Sequence, residues 1–207
     1  MKRGLKTKII DITEKREYER YLYRCFAPMP FRKYHGRQKY LERAIPVGFC
    51  KKLFIANGNA VGQIEYAPAE SSGYPITGNN VVVMNCIWVL RKAKGHGFGQ
   101  LLLKAMLQSQ RNVEGFATIA LENHWSPWLV KGQMEKLGFR SINYLTVSHT
   151  IKRPQHVFNV HLMWMPIKED ASFPEWDKKK LLQGITFCMA HPLYRCEKCK
   201  GDLLKVT

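Results

Sequence analysis

No apolar stretch of the sequence is long enough to cross a membrane. The longest, Val81 to Leu90, holds ten residues and is interrupted by Asn85, whereas a spanning helix needs about 20. Gly-Lys-Ser/Thr occurs nowhere, which excludes the phosphate-binding loop of ordinary NTPases, whose lysine and hydroxyl must directly follow the second glycine. Acidic side chains are scarce: 16 Asp and Glu stand against 33 Lys and Arg, a formal net charge of +17. The expected partner is therefore acidic, and charge alone does not choose among nucleic acid, an acidic protein, a membrane surface and a phosphorylated cofactor. Met1 to Lys8 is basic, but only Ile9 and Ile10 follow before Asp11, so a secretory leader's apolar segment is missing. A cytoplasmic protein without a membrane partner is the expectation, and thiols in that reducing setting read as free.

Apolar residues make up 45% and charged residues 24% of the 207, a balance that supports a folded core. Lys8 to Ile12 reads as a strand, and Tyr18, Tyr21, Leu22, Cys25 and Phe26 follow at helical spacing. Pro28 and Pro30 end that helix, and a weaker helical stretch runs from Lys33 to Ala44. Lys52 to Ala56 and Ala60 to Tyr66 flank Asn57-Gly58-Asn59, the signature of a tight β-hairpin. Ala67 to Asn80 is longer than an ordinary connector and reads as a functional or mobile loop beside a substrate site. Val81 to Leu90 is a buried strand, Gly99 to Arg111 a helix with an apolar stripe, and Gly115 to Glu122 another strand. Ser126-Pro127 is expected to open a helix that runs to Leu137 and stops at Gly138. Two β-rich segments, Ile142 to Ile151 and Val157 to Met165, complete the pattern.

Between the strand ending at Val89 and the following helix lies Arg91-Lys92-Ala93-Lys94-Gly95-His96-Gly97-Phe98-Gly99-Gln100. Glycines let backbone N–H groups approach one point, and the helix N-terminus behind them adds about half a positive charge, an arrangement suited to a phosphate or pyrophosphate. The dinucleotide pattern Gly-x-Gly-x-x-Gly is not met, because the glycines fall at 95, 97 and 99. Lys94 through Gln100 instead resembles the Arg/Gln-x-x-Gly-x-Gly/Ala signature of the GNAT superfamily of N-acetyltransferases, with Lys94 where Arg or Gln is usual. Met134-Glu135-Lys136-Leu137-Gly138-Phe139 resembles the same family's Tyr-Glu-Lys-Leu-Gly-Phe element.

The resemblance covers residues 8 to 166. It implies an α/β (α+β) fold: a mixed, mostly antiparallel sheet flanked by helices and splayed open for acetyl-CoA. By the same resemblance the pantetheine arm would pair with Ile87, Trp88 and Val89, and the pyrophosphate would sit on Lys94, Gly95, His96, Gly97, Phe98, Gly99 and Gln100. Glu122 lies twelve residues before Met134, the spacing at which some ribosomal-protein-type members of the family place a catalytic glutamate; His124 is the substitute. An amine must lose a proton before it can attack a thioester, which is the task of such a base. Two further positions depart from the family pattern. Met134 replaces a tyrosine that protonates the leaving thiolate, leaving Tyr144 or water for that role, and Pro127 replaces an asparagine that touches the cofactor. Cys86, among Val, Met and Ile, reads as core.

Residues 1–166 are thus expected to form the acetyltransferase domain, and 167–207 a basic C-terminal extension containing Cys and His. There Cys188-x-x-His191-x₄-Cys196-x-x-Cys199 supplies four candidate ligands for a structural zinc; a redox-active Cys-x-x-Cys and uninvolved thiols are the alternatives. The expected activity is N-acetyl transfer from acetyl-CoA to a primary amine, on a protein or peptide or on a small molecule, by direct attack on the thioester. A chain of charge +17 is poorly matched to polycationic acceptors. The rival readings are a nucleic-acid or ribonucleoprotein-binding module and a non-catalytic CoA-binding regulator, each on a degenerate acyltransferase fold.

Overall fold

The computed structural model describes residues 5–13, 19–22, 35–150, 155–183 and 204–207. Among these residues the main sheet has eight strands in the order β1-β2-β3-β5-β6-β8-β7-β10. These are β1 (Thr7–Asp11), β2 (Cys50–Ala56), β3 (Asn59–Pro68), β5 (Val81–Val89), β6 (Gly115–Glu122), β7 (Arg140–His149), β8 (Val157–Pro166) and β10 (Leu204–Val206). Every neighbouring pair is antiparallel except β5 and β6. The helices are α1 (Glu19–Leu22), α2 (His35–Ala44), α3 (Phe98–Ser109), α4 (Lys131–Lys136) and α5 (Lys178–Leu182). Among the described residues no helix is long and apolar enough to cross a membrane. The mixed, mostly antiparallel sheet with flanking helices is the architecture expected above.

Local chemistry explains most of these elements. Asn57 (φ 47°) and Gly58 (φ 78°) both adopt the left-handed conformation, which a two-residue turn needs if its twist is to match that of β2 and β3. Phe98, Leu102 and Met106 of α3 are buried in the larger apolar cluster, and Phe98 stacks on Phe54 of β2 at 4.2 Å. A second cluster joins Leu41 and Ala44 of α2 to Ile10, Leu53 and Ile55 of β1 and β2. Within this apolar setting Arg37, Lys51 and Glu65 are fully buried: Glu65 Oε1 lies 2.8 Å from Arg37 Nη2 and 2.7 Å from Lys51 Nζ. Two of the cations counted in the net charge therefore serve the interior.

The feature that makes a site is the divergence of β5 from β6. They pair in parallel only at Val81↔Gly115, Val82↔Phe116 and Val83↔Ala117. One residue further on, Thr118 Oγ1 donates to the Met84 carbonyl at 2.7 Å, a side-chain bond that closes the base of the fork. In the β3–β5 ladder the register shifts between Glu65 and Tyr66, whose partners are Cys86 and Met84. Asn85 is the extra residue of this bulge, a local irregularity that bends a strand. Beyond it β5 stays with β3 as far as Gly62↔Val89, while β6 stays with β8 as far as Glu122↔Asn159.

Two local expectations are corrected. The helix expected from Ser126 spans only Lys131–Lys136, because the residues before it complete the edge of β6. Leu129 takes φ 40°, Leu121 N donates to its carbonyl at 2.8 Å, and Val130 bridges Leu121 in parallel. The segment after Tyr66 is not an open loop. β3 continues to Pro68, a helical turn covers Ala69–Ser71, and β4 (Ile76–Thr77) pairs with β9 (Glu175–Trp176). Tyr74 and Ile76 are buried there, and Tyr74 Oη donates to the Asn85 carbonyl at 3.2 Å.

Described residues after Pro166 pack against the same body. Asp177 caps α5, its Oδ1 accepting from Lys180 N at 2.9 Å, and Leu181 and Leu182 enter the larger cluster. β10 adds to the end of β7 with Leu204 opposite His149.

Candidate functional site

The fork between β5 and β6 opens into a cleft of about 300 Å³. Of the residues expected to hold a cofactor, Ile87, Trp88, Val89, Lys94, Gly95, Gly97, Phe98, Gly99 and Gln100 line it. His96 does not. Its Nδ1 lies 3.0 Å from the Lys94 carbonyl and its ring stacks 5.3 Å from that of Phe98, so it braces the turn from outside. The facing wall includes Pro127, Leu129, Gln133, Met134 and Leu137. All three departures from the family pattern, Lys94, Pro127 and Met134, thus lie on the cleft.

The turn is shaped for an anion. Gly97 (φ 72°) precedes α3 in the left-handed conformation and offers no side-chain cap. The first helical bond, Leu101 N to Gly97 O, is 3.2 Å long. The amides of Phe98, Gly99 and Gln100 therefore have no acceptor within the helix, as at any helix start, and the helix dipole adds to their field. A Cβ built on Gly95 or Gly99 would meet nothing within 4 Å, so the glycines leave this part of the cleft open. Lys94 adds a cation, its Nζ 5.9 Å from the centre of the Trp88 ring. Amides, dipole and lysine together fit the pyrophosphate of a CoA ester.

Glu122 stands at the end of β6, outside the cleft lining, and is held by three donors. Lys131 Nζ lies 2.8 Å from Oε1; Asn159 Nδ2 and His161 Nε2 lie 2.9 and 3.1 Å from Oε2. The bond from Lys131, then that from Asn159, holds the Glu122 carboxyl down to about 2, and Glu122 in turn raises Lys131. Asn159 cannot turn round, because its Oδ1 accepts from Thr146 Oγ1 at 2.9 Å. His161 is buried, and desolvation lowers its pKa against the opposing pull of Glu122. Its Nδ1 is 2.8 Å from Ser141 Oγ.

His124, the substitute base, has both ring nitrogens engaged. Nδ1 accepts from Ser126 N at 3.0 Å and Nε2 lies 3.3 Å from His149 Nε2. Burial, then His149 and His156, push it down to about 4. Cys86 is buried, with the Gln63 amide 3.6 Å from its sulfur, consistent with a core role. Cys188, His191, Cys196 and Cys199 lie outside the described residues. Among the described residues no group of three or more His, Cys, Asp or Glu is arranged for a metal ion.

Lys131, Ser141, Asn159 and His161 escaped the sequence reading. A signal for two of them was present: Asn159 and His161 are the polar residues of an otherwise apolar strand, Val157 to Met165, and their spacing of two puts both on one face.

The model of the Acetyltransferase (GNAT) family matches residues 10–127, more than half of the chain, and the protein belongs to that family of acetyltransferases. No curated protein sequence matches it. Among solved structures, the ribosomal-protein-S18-alanine N-acetyltransferase of Escherichia coli is similar at TM-score 0.54 and 12% identity, over 81% of this chain and 100% of that one. Ard1 from Thermoplasma volcanium matches at TM-score 0.54 and 15% identity, over 79% of this chain and 99% of that one. A GNAT family acetyltransferase from Elizabethkingia anophelis, solved with acetyl-CoA bound, matches at TM-score 0.50 and 15% identity, over 78% and 98%. At these identities the likeness is one of fold.

Proposed function

We propose that this acetyltransferase moves the acetyl group of acetyl-CoA onto a primary amine of a protein or peptide. The observation that carries the reading is the open cleft at the β5–β6 fork, faced by the uncapped amides of α3 and the glycine turn before it. The amides of Gly95 to Gln100 would hold the pyrophosphate, and the edge of β5 from Ile87 to Val89, which among the described residues has no strand partner on the fork side, would pair with the pantetheine arm. Bound there, acetyl-CoA supplies an activated thioester.

The chain's own residues then have three tasks. A backbone N–H on the edge of β5 would stabilise the developing oxyanion, the role such sites give to preorganised donors. The cluster around Glu122 disposes of the amine proton, since a protonated amine has no lone pair to attack with. The leaving thiolate cannot take a proton from Met134, because a thioether has none to give; Tyr144, which does not line the cleft, or water would supply it. A protein acceptor fits the charge, since a chain of net charge +17 repels free polyamines at long range. The E. coli neighbour acts on the alanine of a ribosomal protein, in keeping with an α-amine as acceptor.

The test is incubation with acetyl-CoA and a panel of peptides whose α-amine is free or blocked, read by mass. Gain of one acetyl group with release of one CoA is expected on free α-amines. CoA binding without acetyl gain on any amine would overturn the reading in favour of a non-catalytic CoA sensor.

A further inference from the structure

The residue at which β5 leaves β6 is held from outside the fork. Asn85 is fully buried and has no partner in the β3–β5 register, which passes from Tyr66↔Met84 to Glu65↔Cys86. Two tyrosines fix it. Tyr74 Oη donates to its carbonyl at 3.2 Å, and its own Nδ2 donates to Tyr40 Oη at 3.3 Å. Tyr40 of α2 in turn donates to the Ser71 carbonyl at 2.6 Å, so both bonds lead back to the connection between β3 and β4.

What the bulge decides is which amides face the cleft. Along an antiparallel strand the backbone groups turn alternately towards one neighbour and the other. An extra residue moves that alternation on by one. It therefore sets which N–H groups of Ile87, Trp88 and Val89 bond to β3 and which are left on the fork side. A ladder running on from Tyr66↔Met84 without it would put Glu65 opposite Asn85 and shift every later residue of β5 by one. The edge that lines the cleft at Ile87 to Val89 would then present the other set of amides.

The turn that carries Tyr74 is itself clamped by residues 175–182. The Pro75 carbonyl accepts from Asp177 N at 2.9 Å, and Ile76 of β4 pairs with Trp176 of β9. Leu181 and Leu182 of α5 anchor this segment in the larger apolar cluster. All of these partners lie beyond residues 10–127, the part matched by the family model.

We propose that Tyr74 is a positioning residue for acetyl transfer, holding the Asn85 bulge in the register that turns the reacting amides of β5 into the cleft, and that residues 175–182 serve the reaction by holding Tyr74 in place. The inference rests on the acetyl-transfer reading. It gives the segment after β8 a task at a cleft that it does not line.

Two measurements test it. Tyr74→Phe keeps the buried ring and removes one hydroxyl, so the fold is retained. Backbone hydrogen exchange of this variant, without cofactor, is expected to quicken at Cys86 and Ile87 and to stay at the wild-type rate along β1 and β2. In the second, Tyr74→Phe lowers kcat by about tenfold, the weight of one buried hydrogen bond. The Kd for acetyl-CoA changes less, because the glycine turn that holds the pyrophosphate is remote from the bulge in sequence and does not depend on its register. A merely structural role would lower the thermal midpoint and leave kcat per folded molecule as it was. Trp176→Ala, at the other side of the clamp, is expected to lower kcat in the same way, and the two changes together to do so by less than the product of their separate effects, since they break one connection. Unchanged exchange at Cys86 and Ile87 in Tyr74→Phe, or wild-type kcat, overturns the assignment, and independent effects of the two substitutions remove residues 175–182 from it. Absence of acetyl transfer in the wild-type chain would instead overturn the acetyl-transfer reading, and the exchange result would still decide whether Tyr74 holds the bulge.

Discussion

Glu122→Gln is expected to lower kcat by about 100- to 10,000-fold, the span associated with loss of acid–base catalysis, while the Kd for acetyl-CoA stays within about twofold. Two features of the site make this a large effect on rate and a small one on binding. Glu122 does not line the cleft, so it contributes nothing direct to cofactor affinity. Its charge, however, organises three other side chains: Lys131 at 2.8 Å, Asn159 at 2.9 Å and His161 at 3.1 Å. A neutral amide cannot hold all three, since its nitrogen is a donor placed among donors. Unchanged kcat would remove Glu122 from the reaction.

Gly99→Glu is expected to weaken acetyl-CoA binding by about 100-fold or more, on the ground that like charges in contact cost several kcal/mol. The substitution separates binding from folding. A Cβ at Gly99 meets nothing within 4 Å, and an acidic side chain in the first turn of α3 is favourable to the helix itself. The thermal midpoint should therefore hold or rise while the carboxylate occupies the place prepared for a pyrophosphate. Isothermal titration alongside thermal unfolding separates the two effects. Wild-type affinity in this variant would mean that the start of α3 is not the anion site.

Much of the cleft was legible in the sequence because its parts are local. Asn57-Gly58 specifies a hairpin through backbone conformation alone, and the alternating glycines after Val89 signal close approach at a helix start whatever the rest of the chain does. The cluster around Glu122 was not legible, because Lys131, Asn159, His161 and Ser141 come from α4, β8 and β7 and meet only through the pairing of β6 with β8 and of β8 with β7. The helix expected from Ser126-Pro127 failed for a related reason. Cap-and-proline preference acts over one turn and contributes about 1 kcal/mol, whereas the β6 edge left open by the fork needs a partner, and Leu129 and Val130 supply it. Burial of Arg37 and Lys51 around Glu65 was likewise hidden, since a count of charges does not tell which ones face water.

The central claim is that acetyl-CoA lies in the fork with its pyrophosphate on the start of α3. Backbone hydrogen exchange with and without acetyl-CoA tests it most directly. Slowed exchange is predicted at the amides of Ile87 to Val89 and of Gly95 to Gln100, with little change along β1 and β2. Exchange that is unchanged at those amides under saturating acetyl-CoA, or slowed only elsewhere, would contradict the account.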